Sequence, residues 1–420
     1  MIEVFFILGM VLVIGYVSYE FFELTRIPDV LLLMALGLFL GPVLGFVNAS
    51  AGSEIVALAP LIGTIALIII LFDGGLNLNF VKVLKELGKA TVFTVFVFAL
   101  TALLTALLMQ FAFGWPFLYG LLLGFVVGGT SSAIVIPIVS KLVLAEDYKI
   151  ILNLESALTD ALCVIFAISL IQLIKSGSMV LSNTAGQLAS AFSIAIVIGA
   201  IAGFAWLNGL RRLHGRPFAY MLTLAIVFIL YAAVEYVGGN GAIGVLVFGL
   251  MLGNFGEIAK RANIKGEYAL DATLKSFQLE VSFFVRTFFF VYLGLIFNLA
   301  ALHVDVVLLA FAVVAVCLTA RAVAVKLIVP EKPGSHTDKI MMLMLPRGLA
   351  AAVLAAMPAM QGIHIQWFAE IVFMVLVVTN IIATVGVFLY EHAVSSKRKA
   401  PPQGKFVHTP MAKPRIIALR

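Results

Sequence analysis

The chain reads as an all-α polytopic membrane protein of about 13 transmembrane helices, arranged as two inverted-topology repeats with crossed, discontinuous helices. Three observations lead there. Hydrophobic residues make up 63% of the 420 positions and charged residues only 11%, against roughly 25% charged in soluble domains. The mean hydropathy is +1.16, and apolar runs repeatedly reach the roughly 20 residues that a helix needs to cross a bilayer. Two of these runs, seven apart in order, are interrupted by Gly, Pro and hydroxyl residues.

In chain order the spans fall near residues 3–19, 27–48, 55–78, 90–112, 116–140, 148–174, 187–209, 217–236, 241–256, 276–299, 303–329, 338–358 and 366–391. The first lacks a basic leading region and an evident small-residue cleavage site, so it is expected to be a retained helix. The short 241–256 run carries the weakest signal. Residues 1–391 are expected to form one membrane domain, and 392–420 a basic cytoplasmic tail, disordered and close to anionic lipid. Cys163 and Cys317 both fall inside spans with no metal-ligand spacing.

Basic residues set the orientation, because Lys and Arg near helix ends stay on the cytoplasmic side. With the tail inside, the inner connections hold Arg26; Lys82, Lys85 and Lys89; Lys141 and Lys149; Arg211, Arg212 and Arg216; Lys260, Arg261, Lys265 and Lys275; and Lys332 and Lys339. The outer connections hold only Lys175. A cell-membrane protein with its N-terminus outside and C-terminus cytoplasmic follows. The net charge of +6 then reflects topology and gives no reason to expect a nucleic-acid partner.

Within the spans stand Asp73, Glu155, Asp160, Glu235, Arg286, Arg321, Lys326 and Arg347. Ionisable groups at membrane depth are costly and mark function unless they are paired or hydrated. Lys326 can snorkel from a helix end, and Glu235, near an outer end, reads as a solvated or interfacial acid. Helix rise places Glu155 and Arg321 at matching depths, roughly 10 and 12 Å from the cytoplasmic ends of their helices, so an ion pair between them would neutralise both. Asp160, roughly 18 Å deep by the same rise, has no obvious partner. Ser156 and Asp160 are four residues apart and share a face; a carboxylate beside a hydroxyl suits a small alkali cation, and no His lies near for a transition metal. Arg286 and Arg347 are expected to serve in structural pairing, Arg347 with Asp73 for instance.

The interrupted runs are "GFVVGGTSSAIVIPIVS" in span 5, with Gly128, Gly129, Thr130, Ser131 and Ser132 ahead of Pro137, and "MLPRGLAAAVLAAMP" in span 12, with Pro346, Arg347 and Gly348. Broken helices at membrane depth occur where cavities or hydroxyls satisfy the freed backbone; simple kinks are the plainer alternative. Because the two runs are seven spans apart, spans 1–6 and 8–13 traverse in opposite senses, as an inverted repeat requires.

The stretches "LFDGGLNL", "GTSSAIVIP", "ESALTDAL", "CLTARAVAV" and "PRGLAAAV", in that order, resemble the monovalent cation/proton antiporter superfamily, most closely its NhaP-type sodium/proton exchanger branch. The resemblance implies the NhaA/NhaP-like fold and a homodimer. It makes Asp160 the ion- and proton-binding carboxylate, with Ser156 and Thr130 as further Na+ ligands. It also makes Glu155 and Arg321 a supporting ion pair, and puts Asp73, Thr159, Ser131, Arg286 and Arg347 close to the site. Thr159 stands where the family has Asn, and Asp73 where it usually has Glu. "TSSAIV" resembles the potassium-efflux branch.

The expected function is exchange of a monovalent cation, Na+ and also Li+, for protons by alternating access, electroneutral because Thr159 supplies no second charge, in the service of pH homeostasis. No cofactor is expected beyond the transported ions, Na+ or K+ and H+; the protein is not expected to be an enzyme. The alternatives are a K+/H+ antiporter and, in a different class, a cation channel lined by the same polar residues. An intramembrane aspartyl protease would need Gly-x-Gly-Asp, which neither aspartate has, and no phosphate-binding loop suggests a pump.

Overall fold

The computed structural model describes residues 2–25, 27–45, 58–77, 88–176, 181–213, 218–261, 272–297, 299, 302–329 and 337–399. Of the basic positions that set the expected orientation, Arg26, Lys82, Lys85, Arg216, Lys265 and Lys332 lie outside these residues, as does the tail from 400 onward.

The described residues are almost wholly helical. Seven α-helices precede the middle of the chain: α1 (Ile2–Thr25), α2 (Asp29–Leu38), α3 (Ala59–Asn77), α4 (Lys89–Phe113), α5 (Phe117–Val127), α6 (Ser132–Lys141) and α7 (Glu146–Ser176). Eight follow: α8 (Leu181–Leu213), α9 (Ala219–Tyr236), α10 (Gly241–Arg261), α11 (Ala272–Ile296), α12 (Val304–Ile328), α13 (Thr337–Leu343), α14 (Leu349–Met360) and α15 (Phe368–Lys399). Among the described residues, helix occupies each of the 13 expected spans, including the weak 241–256 run. Spans 5 and 12 are each split in two, as α5–α6 and α13–α14, so they are true interruptions rather than kinks. The last helix continues to Lys399, eight residues past the expected end of the membrane domain.

Local chemistry explains the boundaries. Pro28 and Pro116 sit just ahead of α2 and α5, where a missing N–H costs nothing. α4 ends on Gly114 in the left-handed region at φ 68°, a conformation that glycine adopts without penalty. Glu235 is exposed near the end of α9, as expected, and its Oε1 accepts the Gly241 N–H at 2.7 Å and so caps the start of α10.

The helices sort into two bundles. One contains α1, α2, α3, α8, α9, α10 and α11; the other contains α4 to α7 and α12 to α15. Spans 1–3 and 8–10 thus join the first bundle and spans 4–6 and 11–13 the second, with span 7 connecting the sets. This three-plus-three order, with the interrupted helix fifth in each set, is the repeat expected from sequence. Between the bundles, α3 packs on α14, and Lys141 at the end of α6 pairs with Glu23 of α1 at 2.5 Å.

The first bundle is drawn together by backbone-to-backbone approach. A Cβ added to Gly294 of α11 would sit 2.3 Å from the Met34 carbonyl of α2. Helices in lipid gain little from hydrophobicity against each other and depend on such close packing. Gly294→Ala is therefore expected to lower stability by about 1–3 kcal/mol through overpacking, seen as a lower unfolding midpoint in detergent. Gly9→Ala, where the added Cβ meets open space, should leave the midpoint in place.

Candidate functional site

Two unwound segments cross in the second bundle. The first, Gly128–Ser131, has Ser131 extended at φ −78° and ψ 117°; the second, 344–348, ends on Gly348 at φ −134° and ψ −151°. They are joined by a bond from the Ser131 N–H to the Pro346 carbonyl at 2.9 Å. They lie so close that a Cβ on Gly348 would overlap Ser131 Oγ, at 2.1 Å. Backbone groups freed inside a membrane need partners, and each break supplies one to the other.

The unbroken α7 passes beside this crossing and supplies the rest. Thr159 Oγ1 accepts the Thr130 N–H at 3.0 Å and lies 3.4 Å from the Thr130 carbonyl. One hydroxyl thus serves both sides of an unwound residue. Thr130 Oγ1 points to Glu155 Oε1, at 3.4 Å, and Ser156 Oγ donates to the Asn153 carbonyl at 3.1 Å. Neither of these bonds reaches Asp160.

Glu155 and Arg321 meet, as their depths suggested. The guanidinium forks onto the carboxylate, Nη1 to Oε1 at 2.5 Å and Nη2 to Oε2 at 2.7 Å, while Nε donates to the Met341 carbonyl. Their exposures are 0% and 1%. The pair therefore ties α7, α12 and α13 together, with Arg321 also 5.6 Å from the Phe93 ring centre of α4.

Asp160 is only partly buried. Its Oδ2 accepts two bonds, from the Ser132 N–H at 3.0 Å and from Ser132 Oγ at 2.6 Å. The partner missing at the sequence level is thus Ser132, the first residue of α6. A helix start has N–H groups with no helical acceptor, and Asp160 takes one of them.

The other expected pairing does not form. Asp73 of α3 takes the Asn77 amide on Oδ1 at 3.0 Å, and Arg286 of α11 pairs instead with Asp29 at the start of α2, at 3.0 Å. Arg347, 2% exposed, donates from Nη1 to the Leu345 carbonyl at 3.0 Å. Its backbone is held by Thr379 and Asn380 of α15. It therefore fixes the second break and does not pair with Asp73. α2 and α3 start from different connections, and sequence spacing could not rank their acids as partners for an arginine on α11.

The family model for the transmembrane sodium/hydrogen exchanger matches residues 9–390. The chain belongs to that family. Among curated members, the K(+)/H(+) antiporter NhaP2 of Shewanella baltica is 28% identical over 353 residues, 82% of this chain and 59% of the relative. The Na(+)/H(+) antiporter 1 of Methanocaldococcus jannaschii is 26% identical over 306 residues, 70% of this chain and 69% of the relative. The chain thus spans about three fifths of the NhaP2 length. In fold it matches the solved sodium proton antiporter MjNhaP1 of M. jannaschii at pH 8, with a TM-score of 0.72 over 91% of this chain and 99% of that chain at 23% identity. The overall fold is therefore common to both.

In this exchanger-family chain the buried pair has a measurable signature. Arg321→Met leaves Glu155 uncompensated and should cost about 3–5 kcal/mol, whereas replacing both partners by apolar residues of similar volume should recover most of that loss. Thermal unfolding of the detergent-solubilised single and double variants checks it.

Proposed function

We propose that this protein is a secondary transporter that exchanges a monovalent cation for a proton across the cell membrane, with both competing for Asp160. The observation that carries the reading is the placement of this partly exposed carboxylate beside the crossing of two interrupted helices. Glu155 is locked to Arg321 and Arg347 is held at the second break, which leaves Asp160 as the carboxylate free to exchange at that crossing. Ion sites in inverted-repeat transporters form at such discontinuities, and access alternates as one bundle moves against the other. In the exchange, Asp160 releases its proton to one side and takes the cation there, with oxygens of Thr130 and Ser156 turning to it. It then delivers the cation on the other side and is protonated again.

One exchanging carboxylate implies one cation for one proton, an electroneutral cycle that needs no cofactor. Na+ and Li+ suit a compact oxygen site. K+ is the second reading, favoured by the similarity to antiporters described as K(+)/H(+) exchangers. The protein is further proposed to act as a homodimer in its membrane, with its N-terminus outside and its basic C-terminal segment in the cytoplasm.

Proton movement in proteoliposomes after separate additions of Na+, Li+ and K+ tests the reading. Wild type should respond to at least one of them at a rate unaffected by an imposed membrane potential, and Asp160→Asn should abolish the response. Exchange that survives in Asp160→Asn would overturn the mechanism, and conduction without proton coupling would make the protein a channel.

A further inference from the structure

The two oxygens of Asp160 are not equivalent in this structure. Both hydrogen bonds end on Oδ2, and both come from one residue, the backbone N–H of Ser132 at 3.0 Å and its hydroxyl at 2.6 Å. Ser132 opens the ten-residue α6, so its N–H belongs to the positive end of a helix. Oδ2 is therefore faced by two hydrogens and a partial positive charge, an arrangement that turns away a metal cation. Among the described residues, Oδ1 has none of these.

We propose that Ser132 is a positioning residue of the exchange: it anchors Oδ2 to the start of α6 and leaves Oδ1 as the atom at which cation and proton trade places. The inference rests on the antiport reading of Asp160 given above. Hydrogen bonds to an ionised acceptor are roughly twice as strong as neutral ones, so both donors favour the state of Asp160 that takes the cation and fix the direction in which Oδ1 points. Ser156, one helical turn away on α7, and the unwound Thr130 are the oxygen-bearing residues that the antiport reading assigns to the cation. The anchor also links the carboxylate on the continuous helix to the interrupted one.

Three substitutions separate positioning from folding. Ser132→Thr keeps both donors. Ser132→Ala removes the hydroxyl and keeps the N–H. Ser132→Pro removes both, at a position where proline is tolerated: it is the first helical residue, and Ser131 already has the extended backbone that a following proline requires.

Each variant is reconstituted as monodisperse protein at equal amount, and cation-driven proton flux is measured against concentration of whichever of Na+, Li+ or K+ drives the wild type. The expected result is an apparent KM for the cation raised about tenfold in Ser132→Ala, the scale of one lost bond to a charged group. It should be raised further in Ser132→Pro and lie within about twofold of wild type in Ser132→Thr, with the maximal rate changing less than KM throughout. An unmoved KM in the Ala and Pro variants, or a fall in maximal rate at constant KM, would overturn the assignment of Ser132 while leaving the antiport reading in place. Absence of any cation-dependent proton movement in the wild type would overturn the antiport reading, and this inference with it.

Discussion

The buried fork between Arg321 and Glu155 is the interaction on which the second bundle depends. Two full charges are held away from water, and a low-dielectric interior accepts them only when each is paired and its remaining hydrogen-bonding groups are used. Here the guanidinium spends its Nε on the Met341 carbonyl and the carboxylate takes the Thr130 hydroxyl as well. A single pair thereby fixes the spacing of α7, α12 and α13 and reaches the first unwound segment. The geometry around Asp160 is built on that framework, and the acid five residues before it is committed to the arginine.

The unwound segments are held by a different economy of bonds. Each break is met by hydroxyls, Thr159 at the first and Thr379 at the second, and by the other break. Thr159 illustrates why a departure from the family's usual Asn is tolerable. Its one oxygen accepts the Thr130 N–H and faces the Thr130 carbonyl, which is what an unwound residue in a membrane needs. The first bundle, by contrast, is joined by close backbone approach, as at Gly294 against Met34.

Much of the fold was legible in the sequence because the bilayer imposes a length and a polarity on every span. The positions of Gly128 to Ser131 and of Pro346 to Gly348 betrayed both breaks, since such residues cannot continue a helix in lipid without partners. Depth along a helix was enough to join Glu155 with Arg321. It was not enough for Arg286 and Asp29, because Asp29 sits at the first turn of a helix whose tilt and neighbours depend on tertiary packing. Arg347 was expected in structural pairing, with Asp73 for instance, but its helix is unwound there and its Nη1 turns to the Leu345 carbonyl. Ser132 escaped notice because a serine in a run of three hydroxyl residues gives no sign of which one begins the next helix.

One dimension of α7 bears on how the site can work. Its 31 residues make a rod of about 46 Å at the usual helical rise, longer than the roughly 30 Å of hydrocarbon it crosses. Both tips therefore stand in the headgroup regions, and near one of them Lys175 grips Gln361 at the end of α14 at 3.0 Å. A carboxylate mounted midway along such a rod has no independent vertical freedom. In the exchange proposed above, a change in the side of the membrane it faces would require the rod, and the half-helix bonded near its tip, to travel together.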